Sequence, residues 1–230
     1  MADEPLVCSQ QEMPLPNVAR EYLTELLARN RSKAHQVIRN ALQDGLSIRD
    51  LYLTILQPVQ QEVGRLWLIN RVSVAEEHFC TAATQSLMLE LYPQIISSKR
   101  AGLTLVAACV GPELHEIGMR MVADFFEMDG WDTFYLGAAI SDSQIMSAIE
   151  ERKPDLVALS ATMSYHIATV QELIGIIKGS CPDTAPRIMV GGVPFNTVPN
   201  LWRSVGADLW ATNAEQAVQV ARESLQPATV

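Results

Sequence analysis

From about residue 16 to 98, apolar positions recur every three to four residues, the spacing of helices with one buried face. In NVAREYLTELLAR the stripe is Val18, Tyr22 and Leu26, and SKAHQVIRNALQDG closes with Gly45 in a stop position. SIRDLYLTILQPVQQEVGRLWLIN opens on Ser47 and Asp50, spaced as a capping box, and Pro58 is expected to kink it. SVAEEHFCTAATQSLMLELYPQI opens on a second box, Ser73 and Glu76. Four helices predict a bundle over 16–98, after a tail over 1–15. Beyond the polar joint SSKR at 97–100 the period changes. LTLVAACV, WDTFYLG, DLVALSAT, RIMVGG and DLWAT read as short buried strands separated by helix-length segments. The order predicts an α/β unit over 101–230, a Rossmann-like, doubly wound parallel sheet of five strands. Ligands in such sheets sit beyond the carboxyl ends of the strands.

Composition narrows the classes. A chain of 230 residues that is 48% hydrophobic can bury real cores. The net charge of −9 and the lack of a dense Lys/Arg run make nucleic acid a poor ligand. Cys8, Cys80, Cys109 and Cys181 are far apart with no CxxC spacing, which suits a reducing cytoplasm. No apolar stretch approaches a membrane span, and the acidic start lacks the order of a signal peptide. A cytoplasmic protein that does not engage a membrane is expected.

The chemistry gathers at the strand ends. His115 in ELHEIG follows the first strand. A lone histidine at a helix start is ordinarily a surface or capping residue, but Glu113 could accept a hydrogen bond from one ring nitrogen and leave the other for a metal. One histidine cannot close a zinc site, which wants three or four protein ligands. A metal already held by a macrocycle needs only one. Ser160 and Thr162 end the third strand as termini, helix caps or the lining of a slot. Gly191 and Gly192 follow the fourth as a tight turn or a close approach for a bulky ligand. The GxGxxG fingerprint and the phosphate-loop motif are missing from the sequence. His35 and His166 read as ordinary surface or loop residues, and Met119, Met121, Met163 and Met189 as core filler.

ELHEIG, SAT and GG, each behind its strand, together resemble the cobalamin-binding domain family over roughly 100–225. The family pattern has aspartate where Glu113 stands. The resemblance implies cobalamin, in an adenosyl, methyl or hydroxo form, with His115 as lower cobalt ligand. Glu113, Glu116 and Gly118 would lie in the same cofactor-binding loop, and the nucleotide tail would enter a slot near Ser160, Thr162, Gly191 and Gly192.

In the bundle, Trp67 is followed after nine residues by Glu77 and His78. The ordinary readings are a core tryptophan, an acid favoured by the helix dipole and a solvated histidine. Behind a cobalamin-like domain, the spacing resembles light-sensing cobalamin proteins and stand-alone antirepressors of photosynthesis genes. That resemblance implies that Trp67, Glu77 and His78 line the upper face of the corrin and that His78 takes the upper cobalt position after light. It also implies a photoreceptor without catalytic turnover, acting on a transcription regulator. With some fifteen residues before the first helix, no winged helix and no direct DNA binding are expected. A homo-oligomer is left open. The alternative is a corrinoid methyl-carrier protein of a methyltransferase system. A mutase subunit would need a substrate barrel, and a redox or metal enzyme unrelated to cobalamin is a further class.

Overall fold

The computed structural model describes residues 15–96, 99–112, 114–180 and 185–225. Cys8, Cys181 and Glu113 lie outside the described residues. The chain divides into two compact units, one ending at Gln94 and one beginning at Ile95.

The first unit is helical: α1 (Asn17–Leu27), α2 (Arg31–Gln43), α3 (Ile48–Leu51), α4 (Gln57–Leu68) and α5 (Val74–Leu91). A π-turn (Tyr52–Leu56) joins α3 to α4 without a break, so three segments make one long helix and the unit is built of four rods. Pro58, in the first turn of α4, has no N–H to offer the preceding turn. The π-turn lies just upstream of it. Helix α1 packs on α2, α4 and α5. Tyr22, Leu26, Ile38, Leu56, Val63 and Leu87 fill the space between.

Two polar features of this core escaped the periodicity. His35 is buried, not on the surface, because the inner face of α2 carries it against α5, where its Nε2 lies 3.0 Å from the carbonyl oxygen of Ala83. Glu62 and Arg65 form a buried two-bond pair, both contacts 2.7 Å. Helix α5 begins with the capping box read from its sequence. Ser73 accepts from the Glu76 N–H, and the Glu76 carboxylate accepts from the Ser73 N–H at 2.9 Å.

The second unit alternates strands and helices: β1 (Thr104–Cys109), α6 (Ile117–Met128), β2 (Asp132–Gly137), α7 (Asp142–Arg152), β3 (Leu156–Ser160), α8 (Ile167–Ser180), β4 (Arg187–Gly191), α9 (Val193–Thr197), α10 (Leu201–Ser204), β5 (Leu209–Trp210) and α11 (Ala214–Leu225). All four strand pairings are parallel, in the order β2-β1-β3-β4-β5. Strands β1 and β3 are buried almost throughout, which explains their unbroken apolar runs. On one face Val106, Ala108, Val157, Leu159 and Val190 pack with Ile145 and Ile149 of α7 and Leu173 and Ile177 of α8. Helix α6 packs on β1 and β2, and α11 on α6 and β5. Met119, Met121 and Met189 are core residues. Among the described residues, no helix is long and apolar enough to cross a membrane.

The capping box makes a prediction about acid. Bonds from the Ser73 N–H and hydroxyl, then the Arg29 guanidinium, lower the Glu76 carboxyl from 4.5 to about 2. A carboxyl lowered on folding contributes stability that is full above its unfolded value and is lost as pH falls through the folded one. Helical circular dichroism melts should therefore rank wild type above Glu76→Gln at pH 7. The gap should close between about pH 4.5 and 2; a gap that stays constant over that window contradicts the assignment.

Candidate functional site

The strand order creates the site. Helix-bearing connections leave β1 and β3 on opposite faces of the sheet, so their carboxyl ends diverge and open a crevice. Cys109, Ser160 and Gly191 stand side by side in register across this edge. The segment that carries His115 leaves β1 here, and the Val110 N–H donates to the carbonyl of Ser160 at 2.9 Å.

The segment is held at three points by groups that flank His115. Gly111 has φ +88 and lies over the buried ring of His166; an added Cβ would stand 2.8 Å from that ring's Cδ2. His166 was expected in a loop or on the surface. The turn after β3 instead packs its ring beneath Gly111, with Tyr165 edge-on at 4.4 Å. The Cys109 thiol approaches the carbonyl of His115 at 3.7 Å. Glu116, the N-cap residue of α6, turns its carboxylate to the hydroxyl of Tyr135 on β2, 3.1 Å away. Burial first, and the Glu116 carboxylate beside it second, push the Tyr135 hydroxyl well above its ordinary value, so it stays a neutral donor.

Between these anchors the His115 side chain is exposed. Gly118, in the first turn of α6, is exposed, and a Cβ there would meet nothing within 4 Å. Ser160 is buried at the end of β3, Thr162 follows half-buried, and a Cβ on Gly191 would find only the Ala211 carbonyl oxygen, at 3.9 Å. Gly192 differs. Its φ is +104, and an added Cβ would lie 2.0 Å from the carbonyl oxygen of Ala161, so the turns after β3 and β4 are pressed together there. Leu114, Tyr165 and Val193, from the segments after β1, β3 and β4, are 70%, 69% and 43% exposed; large apolar side chains left open at a ligand edge suit a bulky, largely apolar ligand.

The donor set fits a metal that arrives inside its own macrocycle. Among the described residues, no group of three or more His, Cys, Asp or Glu side chains is placed to hold an ion, whereas His115 offers one exposed imidazole on a braced loop. In the helical unit, Trp67 is half-buried near the end of α4. Glu77 lies in the first turn of α5 and His78 in the turn after, its side chain 66% exposed and its Nε2 3.5 Å from the Glu77 carboxylate. Glu77 also accepts from Thr81 at 2.9 Å.

An open parallel sheet whose switch point presents a single imidazole among small residues defines a macrocycle-binding protein of the Rossmann-like class. Residues 103–219 match the family model of the B12 binding domain, and residues 18–92 match a second model of the same description. The chain belongs to the B12 binding domain family, and cobalamin is its cofactor. Dimethylamine corrinoid protein 3 of Methanosarcina mazei is 27% identical over 168 residues, 73% of this chain and 96% of that protein. The structure of the Methanosarcina barkeri monomethylamine corrinoid protein superposes with a TM-score of 0.81 at 20% identity, over 90% of this chain and 98% of that one. The methanol:cobalamin methyltransferase complex MtaBC of Methanosarcina barkeri gives 0.50 at 14% identity, over 91% and 81%.

These relatives correct the functional expectation. The relatives are named for corrinoid proteins of amine systems and a methanol:cobalamin methyltransferase complex, not for light-sensing regulators, so the photoreceptor, the antirepressor and the transcription-regulator partner fall. The expectation rested on the Trp67–Glu77–His78 spacing. That spacing is the distance across the turn from the end of α4 into α5. The helical segment 18–92 is itself a B12-binding module, so a bundle before the sheet does not single out sensors. A chain without turnover of its own agrees with the relatives' names.

Gly191 and Gly192, at the end of β4, should differ sharply in their effect on folding. Gly192→Ala should destabilise the protein by about 2 kcal/mol or more in urea unfolding, because its backbone conformation and the Ala161 carbonyl both oppose a side chain. Gly191→Ala should cost less than about 0.5 kcal/mol. Comparable losses in the two variants would contradict this account of the turn.

Proposed function

We propose that the chain is a corrinoid methyl-carrier protein that works with the methyltransferases of a one-carbon transfer system. The observation that carries this reading is the single exposed imidazole of His115 on a braced loop at the switch point of a B12-binding sheet. Relatives named corrinoid proteins, matched along most of their length, supply the biological setting.

Bound cobalamin supplies a cobalt centre that takes up and gives up a methyl group. The residues bind and orient it. His115 would hold the cobalt, with Glu113 and Glu116 beside it in the sequence. Gly118 leaves the start of α6 without a side chain where the macrocycle would bind, and Ser160, Thr162, Gly191 and Gly192 would hold the nucleotide tail. Ser160 offers a hydroxyl beside two positions that have no side chain, the combination that a long, partly polar tail needs. The protein's task is to present the loaded cofactor to two enzymes in turn, so its partners are methyltransferases. We place it in the cytoplasm, whose reducing conditions suit the buried, unbridged thiols of Cys80 and Cys109.

The test is methyl transfer between separate proteins. Loaded with cobalamin methylated at cobalt, the chain should methylate a thiol when a corrinoid-dependent methyltransferase is added, and not without it. His115→Ala should weaken cobalamin binding by at least about tenfold. Failure to serve as donor or acceptor to methyltransferases that accept the dimethylamine and monomethylamine corrinoid proteins would contradict the carrier reading.

A further inference from the structure

Glu116 occupies an N-cap position, where a short polar side chain normally accepts from the first turn of the helix. Its side chain makes no such bond. It reaches β2 instead, where the Tyr135 hydroxyl donates to its carboxylate at 3.1 Å and lies 3.4 Å from its main-chain carbonyl. The space it enters exists because Gly137, at φ +78, has no side chain; a Cβ there would stand 3.1 Å from the Glu116 carboxylate oxygen. One turn along α6, the Arg120 guanidinium lies 5.5 Å from the centre of the Tyr135 ring and is itself fixed by Asp124 at 2.8 Å.

We propose that Tyr135 and Glu116 are a positioning pair that fastens the backbone immediately after His115 to strand β2 and so fixes where the imidazole is presented. The inference rests on the reading of His115 as a cobalt ligand. His115 is the last residue before the N-cap, so its Cα is carried by whatever holds Glu116. The helix dipole attracts the carboxylate toward the amide groups of α6. The bond to Tyr135 draws the side chain to the sheet instead, and the sheet is the rigid part of the unit. On the upstream side the Cys109 thiol and the contact of Gly111 with His166 restrain the same segment, so Tyr135–Glu116 completes a two-ended mount. A ligand held in place before the cofactor arrives loses less freedom on binding than one that must be ordered. Tyr135 does not touch the ligand nitrogen in this scheme; it acts through Glu116.

Two readouts test the pair, one of them without cofactor. In the apo protein, Tyr135→Phe and Glu116→Ala should speed amide hydrogen exchange at residues 114–118 by about tenfold, with the sheet amides unchanged. In titrations with hydroxocobalamin, followed by the absorption change of imidazole coordination, both variants should bind about tenfold more weakly, the effect of losing one hydrogen bond to a carboxylate. Glu116→Gln keeps an acceptor oxygen and should stay within about twofold of wild type. The double variant should be no worse than either single one, since both remove the same bond. Wild-type exchange at 114–118 in both Tyr135→Phe and Glu116→Ala overturns the proposal. If His115→Ala leaves hydroxocobalamin affinity unchanged, the ligand reading fails on its own, and apo exchange still decides whether the fastening exists.

Discussion

The whole of the second unit depends on the placement of β1 between β2 and β3 in a parallel sheet. A parallel neighbour can be reached only by a crossover, and crossovers in one sheet share one hand. Moving from β1 to β2 and then back past it to β3 therefore sends successive helices to opposite faces. The edge between β1 and β3 is left uncovered at its carboxyl end. The candidate site residues of this unit stand on that edge: the braced segment with His115 after β1, Ser160 and Thr162 at the end of β3, and Gly191 and Gly192 at the end of β4.

Within that frame the segment after β1 has to solve a mechanical problem. A single side chain proposed to meet a metal must be presented reproducibly, yet His115 sits on a loop. The protein confines the loop at both ends and leaves the imidazole exposed between them. Gly111 admits His166 beneath the chain, Cys109 approaches the carbonyl of His115, and Glu116 is drawn to Tyr135. Each contact reaches across from a different strand or turn, so the fold as a whole sets the position of one residue.

How much of this was legible in the sequence varied with the range of the interaction. The five strands and the helices of both units follow from period and composition, because burial on both faces demands unbroken apolar runs such as those of β1 and β3. The Ser73–Glu76 box is equally local. His35 and His166 were misread because nothing nearby in sequence marks a buried histidine; their partners, Ala83 and Gly111, are 48 and 55 positions away. Tyr135 was passed over as a strand residue although it stands near the carboxyl end of β2, on the same edge as the motifs. The residue spacing from Trp67 to His78 carried the wrong function because a helix–turn–helix connection imposes it whatever the bundle does. The B12-binding family itself was visible in the three strand-end motifs, since their spacing follows from the sheet.

The proposed role of His115 requires one of its ring nitrogens to bind cobalt. Electron paramagnetic resonance of the protein reconstituted with cobalamin and reduced to the Co(II) state reads that bond directly, because an axial nitrogen splits the cobalt lines. With 15N-labelled histidine the splitting should change from the three-line pattern of 14N to the two-line pattern of 15N, and His115→Ala should abolish it. A three-line pattern untouched by histidine labelling and by His115→Ala would show that the cofactor keeps its own base and that His115 is not the ligand.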